Sequence, residues 1–323
     1  MAGGRVKISN RSALWILLGV FGSFIAAPNS TIIKAVTESI DSLTMTVARY
    51  AVIFVVCLPF IVRAWSKLSR PKNWLRTILS GVFLGVSTIA FALSIEAGQA
   101  SYTSIILLLS PVFLVVLSVL LLGERLSRQI VLGVSVALLG ALAVTVAPFL
   151  FGASTAVNTE SVIWAVISLL SYPFGLILLR KVNEAGVSMA ASIGANALVI
   201  IAVAALAAWL MQGGVAIEQL AQASPTDWVA MLYSALVVYL LSRIITVKTF
   251  EKVGSAVESG IMYMEGLLSV AMPMVLLGEN LTPEIIAGGL MIFGGMMVAE
   301  NGHRQLLKQT RKRRRLHHLH HRG

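Results

Sequence analysis

Four ionisable residues, Arg49, Arg243, Glu258 and Glu265, stand inside runs that are otherwise apolar. A charged side chain at the centre of a membrane helix costs about 2.5–3.5 kcal/mol on insertion scales, so it faces a partner or a wet cavity. Glu258 and Glu265 are seven residues apart, close to two helical turns, and share a face. Glu265 lies ten residues into its run, which is about 15 Å at 1.5 Å per residue, near the midplane. Arg243, on the preceding run, has a depth between the two carboxylates. An Arg243–Glu265 or Arg243–Glu258 pair has two uses. As a static ion pair it locks adjacent helices. Facing a cavity, Arg243 and Glu265 hold a zwitterionic or charged solute and Glu265 exchanges a proton, because burial and a nearby guanidinium act on a carboxyl in opposite directions.

Other polar residues are candidates for the same cavity. Arg49, six residues into its run, reads as an interfacial anchor that snorkels outward or pairs with Glu96 or Asp41, or as a charged gate. Tyr239 is one turn before Arg243, and Tyr263 is close to Glu265. Asn196 is in mid-run. Each lines the cavity or forms an interhelical hydrogen bond. Pro28, Pro111, Pro173 and Pro273 mark kinks or hinges. No nucleophile–base pair, metal-ligand spacing or Gly-x-x-x-x-Gly-Lys loop occurs outside the histidine-containing tail, so no cofactor or metal is expected and the chain reads as a non-enzyme. The contrasting class is an intramembrane acid–base enzyme using Glu265, Glu258 or Tyr263.

The elements that position these residues are membrane spans. The 323 residues are 57% hydrophobic and 12% charged, with mean hydropathy +0.87, against roughly 25% charged in soluble domains. Ten runs are long and apolar enough to cross a bilayer: 12–33, 43–62, 74–95, 101–122, 129–150, 161–179, 188–211, 228–247, 255–277 and 282–299. The first reads as a retained helix rather than a signal peptide. The formal net charge of +11 reflects topology, not nucleic-acid binding. With the N-terminus inside, all Lys and Arg except Lys34, Arg49 and Arg243 fall on the cytoplasmic face. Both termini are then cytoplasmic in a multi-pass inner-membrane protein. The basic tail, with its two His pairs, lies on anionic inner-leaflet lipids.

The spans divide into two copies of one unit. Leu121-Leu122-Gly123-Glu124-Arg125-Leu126-Ser127 returns as Leu276-Leu277-Gly278-Glu279-Asn280-Leu281-Thr282, an offset of 155 from Glu124 to Glu279. Five spans per copy is odd, so the second copy enters the membrane inverted, an architecture of secondary transporters. The expected fold is all-α and polytopic, with ten transmembrane helices as two inverted five-helix repeats. Its parts are a cytoplasmic N-terminus at 1–11, repeats at 12–150 and 161–300, a linker at 151–160 and a basic tail at 301–323. Gly133, Ala137, Gly140 and Ala141 on span 5, and Ala287, Gly288, Gly294 and Gly295 on span 10, suit close packing within the chain or across a homodimer.

The chain resembles the drug/metabolite transporter superfamily, specifically the ten-helix EamA-type transporters. The resemblance rests on Trp15 and Gly19, Arg49-Tyr50, the stretch from Ala92-Leu93 to Ala100, Ser110-Pro111, Gly123-Glu124-Arg125-Leu126 and Gly278-Glu279-Asn280-Leu281. It implies a small-solute carrier, often an exporter of amino acids or related metabolites, with a central cavity between the halves and spans 5 and 10 outside it. The chain departs from a symmetric pair, since Glu258 and Glu265 stand where the first copy has Thr103 and Ser110. Ser110 therefore joins the candidate site. The expectation is alternating-access export of a small polar metabolite with a coupling proton. The runner-up is uptake of an organic anion by Arg49 and Arg243.

Overall fold

The structure, a computed structural model, describes residues 10–110, 113, 117, 128–150, 158–253 and 255–299. Among these no strand occurs. The helices are α1 (Asn10–Ala26), α2 (Asn29–Val36), α3 (Ser42–Leu68), α4 (Pro71–Ala97), α5 (Ala100–Leu107), α6 (Arg128–Leu150), α7 (Thr159–Glu184), α8 (Met189–Gln212), α9 (Ile217–Gln222) and α10 (Pro225–Tyr233). A π-helical segment, Ser234–Leu241, continues α10 into α11 (Ser242–Val253), followed by α12 (Ser255–Leu276) and α13 (Pro283–Ala299). Six helical runs among the described residues have the length and hydropathy of a membrane span, and three shorter apolar helices accompany them. Apolar side chains such as Val55, Trp209 and Val275 are exposed on the outer surface, where only lipid would make them favourable. The fourth expected span begins as α5 and passes into residues outside the described set. The Glu124 loop, most of the linker and the tail also lie outside it.

The sequence sets the helix ends. Asp41 caps α3, its Oδ1 accepting from the amides of Leu43 (3.1 Å) and Thr44 (2.8 Å). Ser224 and Asp227 form a reciprocal capping box on α10, and Pro225 occupies the first turn. Gly213 ends α8 in the left-handed conformation, at φ 82°. Lys34 donates to the carbonyls of Ile95 (2.9 Å) and Gly98 (2.7 Å), supplying a cation to the C-terminus of α4. Three boundaries differ from the sequence reading. The first span is broken at Ala27–Pro28 between α1 and α2. α3 runs through Pro59 to Leu68 instead of ending at 62. The connection 212–227 contains the short helix α9.

Helix packing relates the halves by exchange. α3 packs on α8 and α5 on α12, pairs that map onto themselves when the halves are swapped. α4 packs on α7, and its exchanged counterpart is α1 on α11; α1 on α12 answers α5 on α7. The α4–α7 contact is a ladder of hydroxyls seven residues apart. Ser80 donates to the Gly175 carbonyl (2.9 Å), Ser87 to that of Ser168 (3.1 Å) and Ser94 to that of Ser161 (2.8 Å). α6 and α13 approach backbone to backbone. A Cβ on Gly140 would stand 2.6 Å from the Gly288 carbonyl oxygen and 2.8 Å from the Ile292 amide nitrogen. At Gly133, Gly140, Gly288 and Gly295 the expected small-residue stripe is thus a seam inside the chain. Gly294 is off the seam, with open space where its Cβ would be.

Candidate functional site

Arg243 follows the π segment by two residues, and Tyr239 lies within it. A π turn widens the helix and is frequent at functional sites. Arg243 Nη2 donates to the Tyr172 hydroxyl on α7 at 3.0 Å. Tyr172 was not singled out from sequence; its signal was a tyrosine in mid-span, immediately before Pro173. Glu265, halfway along α12, is within electrostatic range of Arg243 but makes no direct ion pair with it. Among the described residues the ion pair formed is Arg180–Glu184, at the exposed end of α7. Arg243, Tyr239, Tyr172 and Glu265 are all half-buried.

Arg49 joins this group from α3. It is 5% exposed, so the snorkelling expected from sequence does not occur. Glu96 and Asp41 are engaged elsewhere, accepting from the Ser42 amide and from the start of α3. The Arg49 guanidinium carbon instead lies 5.6 Å from the Tyr239 ring centroid and 5.9 Å from that of Tyr50. These are cation–π distances. The two rings meet edge to face at 5.5 Å, and the Tyr50 hydroxyl is 3.2 Å from that of Thr88. The Arg49 Nε–H has no acceptor. Two guanidiniums therefore lie near Tyr239, Arg49 over its ring and Arg243 hydrogen-bonded to Tyr172, and neither is directly paired with a described carboxylate.

The remaining candidates fall elsewhere. Asn196 Nδ2 donates to Ser80 Oγ at 3.0 Å, extending the α4–α7 ladder to α8. That is an interhelical brace, with the Asn196 Oδ1 left unpartnered. Ser110 is buried on the continuation of α5 and is not joined to the arginine group by a described contact. The backbones of Glu258 and Tyr263 lie on α12, but their side chains are outside the described set.

The second repeat motif also has a structural task. Glu279 accepts from the amides of Ala100 and Ser101 (2.8 Å each) and from Ser101 Oγ (2.5 Å). The motif of one half thus caps the first turn of α5 in the other half. The sequence signal was an acidic residue paired with a helix beginning at Ala100-Ser101 that lacks a cap of its own. An open groove of about 500 Å³ lies over this contact, lined by Gln99, Leu277, Glu279 and Thr282 among others.

A bundle of apolar, membrane-length helices with lipid-suited side chains on its surface defines an integral membrane protein. The chain matches the EamA-like transporter family over residues 13–146. A protein of Sinorhizobium sp described as an uncharacterized transporter in the cobO 3′ region is 30% identical over 140 residues, which is 42% of this chain and 99% of that protein. The relative is therefore about as long as one of the two halves. A solved structure described only as the crystal structure of a protein shares the fold, with TM-score 0.59, 18% identity, and coverage of 91% of this chain and 99% of its own. The chain belongs to the EamA-like transporter family, and is a membrane transporter of the drug/metabolite type.

Proposed function

We propose that this transporter is a secondary carrier that moves a small polar metabolite, in the export direction suggested by the resemblance, by alternating access in a chain built from two inverted halves. The observation that supports this most is the convergence of Arg49, Tyr172, Tyr239, Arg243 and Glu265 from both halves onto one place inside an apolar bundle. Charges so placed are costly unless they serve a partner or a solute, and the direct partners here are neutral tyrosines. In this reading Arg243 and Tyr172 hold the solute, Tyr239 positions it, and Glu265 exchanges a coupling proton. Among the described groups Arg243 on α11 is in electrostatic range of Glu265, and α1, which carries Arg11, α2, which carries Lys34, and α5 also pack on its helix.

Counterflow in liposomes containing the purified chain tests this. Saturable exchange of a labelled solute across the wall is expected, and its loss in Arg243→Ala. A channel would not saturate or exchange, and an enzyme would return altered solute. Glu265→Gln is expected to retain exchange but lose the response to an imposed pH gradient. A variant with full pH-driven transport would remove Glu265 from the coupling role.

A further inference from the structure

The arginine group is rich in donors and positive charge. Arg49 presents an Nε–H with no acceptor. Arg243 uses one guanidinium nitrogen on Tyr172 and keeps further N–H groups, since a guanidinium carries five. Tyr172, having accepted from Arg243, retains its own O–H to donate. Among the described residues the acidic side chain in electrostatic range of Arg243 is Glu265, and none is in range of Arg49. Among the described side chains, two cations thus face one anion.

We propose that the solute is a small carboxylate anion, bound with its oxygens between Arg49 and Arg243 beside Tyr239. This rests on the carrier reading and names its cargo. Two requirements lead to it. A group of donors binds a solute that brings acceptors, and a buried second guanidinium needs a negative charge that no described side chain supplies directly. A net-neutral zwitterion places its ammonium toward Glu265 and its carboxylate toward one arginine, leaving the other uncompensated. An anion with charge −1 balances the pair while Glu265 is ionised, and one with charge −2 does so when Glu265 is protonated. Guanidinium forks match the planar carboxylate in geometry as well as charge. Arg49 and Tyr50 come from the first half, and Tyr172, Tyr239 and Arg243 from the second, so an anion between them bridges elements of both.

The test uses the full chain in liposomes, with counterflow of labelled succinate, benzoate, leucine, benzamide and methylphosphonate. The expected result is saturable counterflow of a carboxylate probe, competed by other carboxylates and not by the matched amide. Arg49→Gln and Arg243→Gln should lower it at least tenfold, and Arg49→Lys and Arg243→Lys should restore part of it, because charge without the fork remains. Counterflow of leucine or benzamide without any transport of succinate or benzoate overturns the anion while leaving the carrier reading intact. Preference for methylphosphonate replaces the carboxylate by a phosphoryl group. Absence of counterflow with every probe refutes both readings. If an arginine variant is not monodisperse in detergent, the carboxylate–amide comparison on the unaltered chain decides.

Discussion

Removing the Glu279 carboxylate should loosen the start of α5 without unfolding the bundle. Three donors converge on it, two amides at 2.8 Å and the Ser101 hydroxyl at 2.5 Å. Hydrogen bonds to a charged group contribute about 1.5–3 kcal/mol each when their loss leaves the partner unsatisfied. Here an open groove adjoins the site, so water replaces part of what is lost. The cost then approaches that of an ordinary helix cap, about 0.5–2 kcal/mol, and the upper end applies because two amides are served. About 2 kcal/mol corresponds to roughly a 30-fold change in the opening equilibrium of that turn. Hydrogen–deuterium exchange read on a peptide spanning residues 96–107 should therefore show the amides of Ala100 and Ser101 exchanging about 30-fold faster in Glu279→Ala. Glu279→Gln, which keeps one acceptor oxygen, should give an intermediate rate. A peptide from the middle of α7 serves as the control and should not change. Unchanged exchange at both amides in Glu279→Ala would refute the capping role and the tie between the second motif and the first half.

Three further outcomes follow from the packing. Tyr172→Phe removes the acceptor for Arg243 and should weaken solute binding by tenfold or more, about 1.5–3 kcal/mol, measured as half-saturation in counterflow, with little change in melting temperature. Asn196→Ala breaks the link to Ser80 and should destabilise the fold by about 0.6 kcal/mol, as is typical of interhelical bonds in membrane proteins, read as a lower melting temperature in detergent, while leaving half-saturation unchanged. Gly140→Val places a branched side chain where even a Cβ lies 2.6 Å from the Gly288 carbonyl oxygen. It should part α6 from α13 and sharply reduce the monodisperse yield, whereas Gly294→Val, which meets open space, should be tolerated.

What the sequence disclosed and what it hid have a common physical origin. Spans, repeat and small-residue stripes are written in local pattern, and hydropathy, periodicity and spacing report them directly. The partners of polar side chains depend on which helices meet, and that is not local. Arg49 shows the difference. Its position near a span end suggested an outward reach, but α3 packs on the π segment and places tyrosine faces beside it. Tyr172 and Arg243 are 71 residues apart in sequence and become neighbours only through the fold. The serine ladder was legible and overlooked. Ser80, Ser87 and Ser94 repeat every seven residues, as do Ser161, Ser168 and Gly175. That period holds one face of a helix toward a neighbour. The π segment had no signal in its composition, because Ser234–Leu241 is as apolar as any regular span.

The same ladder limits how the carrier moves. α4 belongs to the first half and α7 to the second, yet they are joined along their length by the hydroxyls of Ser80, Ser87 and Ser94. Each such bond contributes only about 0.6 kcal/mol on average, but they break together if the helices slide. α3 and α8 are likewise packed across the halves. In the alternating-access reading proposed above, the bodies that rock would each combine helices from both sequence halves, with α4 and α7 travelling as one. In contrast, the Arg49–Tyr239 stack contributes about 0.5–2 kcal/mol and lies on the α3–π contact, weak enough to break and reform in each cycle. A covalent link separates these cases. Ser87 Oγ and Ser168 Oγ are 3.1 Å apart, so a cysteine pair at these positions, with Cys57 replaced by Ser, should oxidise readily. Disulfide formation there should leave counterflow at its reduced-state rate. Counterflow that stops on oxidation and returns with reductant would show that α4 and α7 must separate during transport.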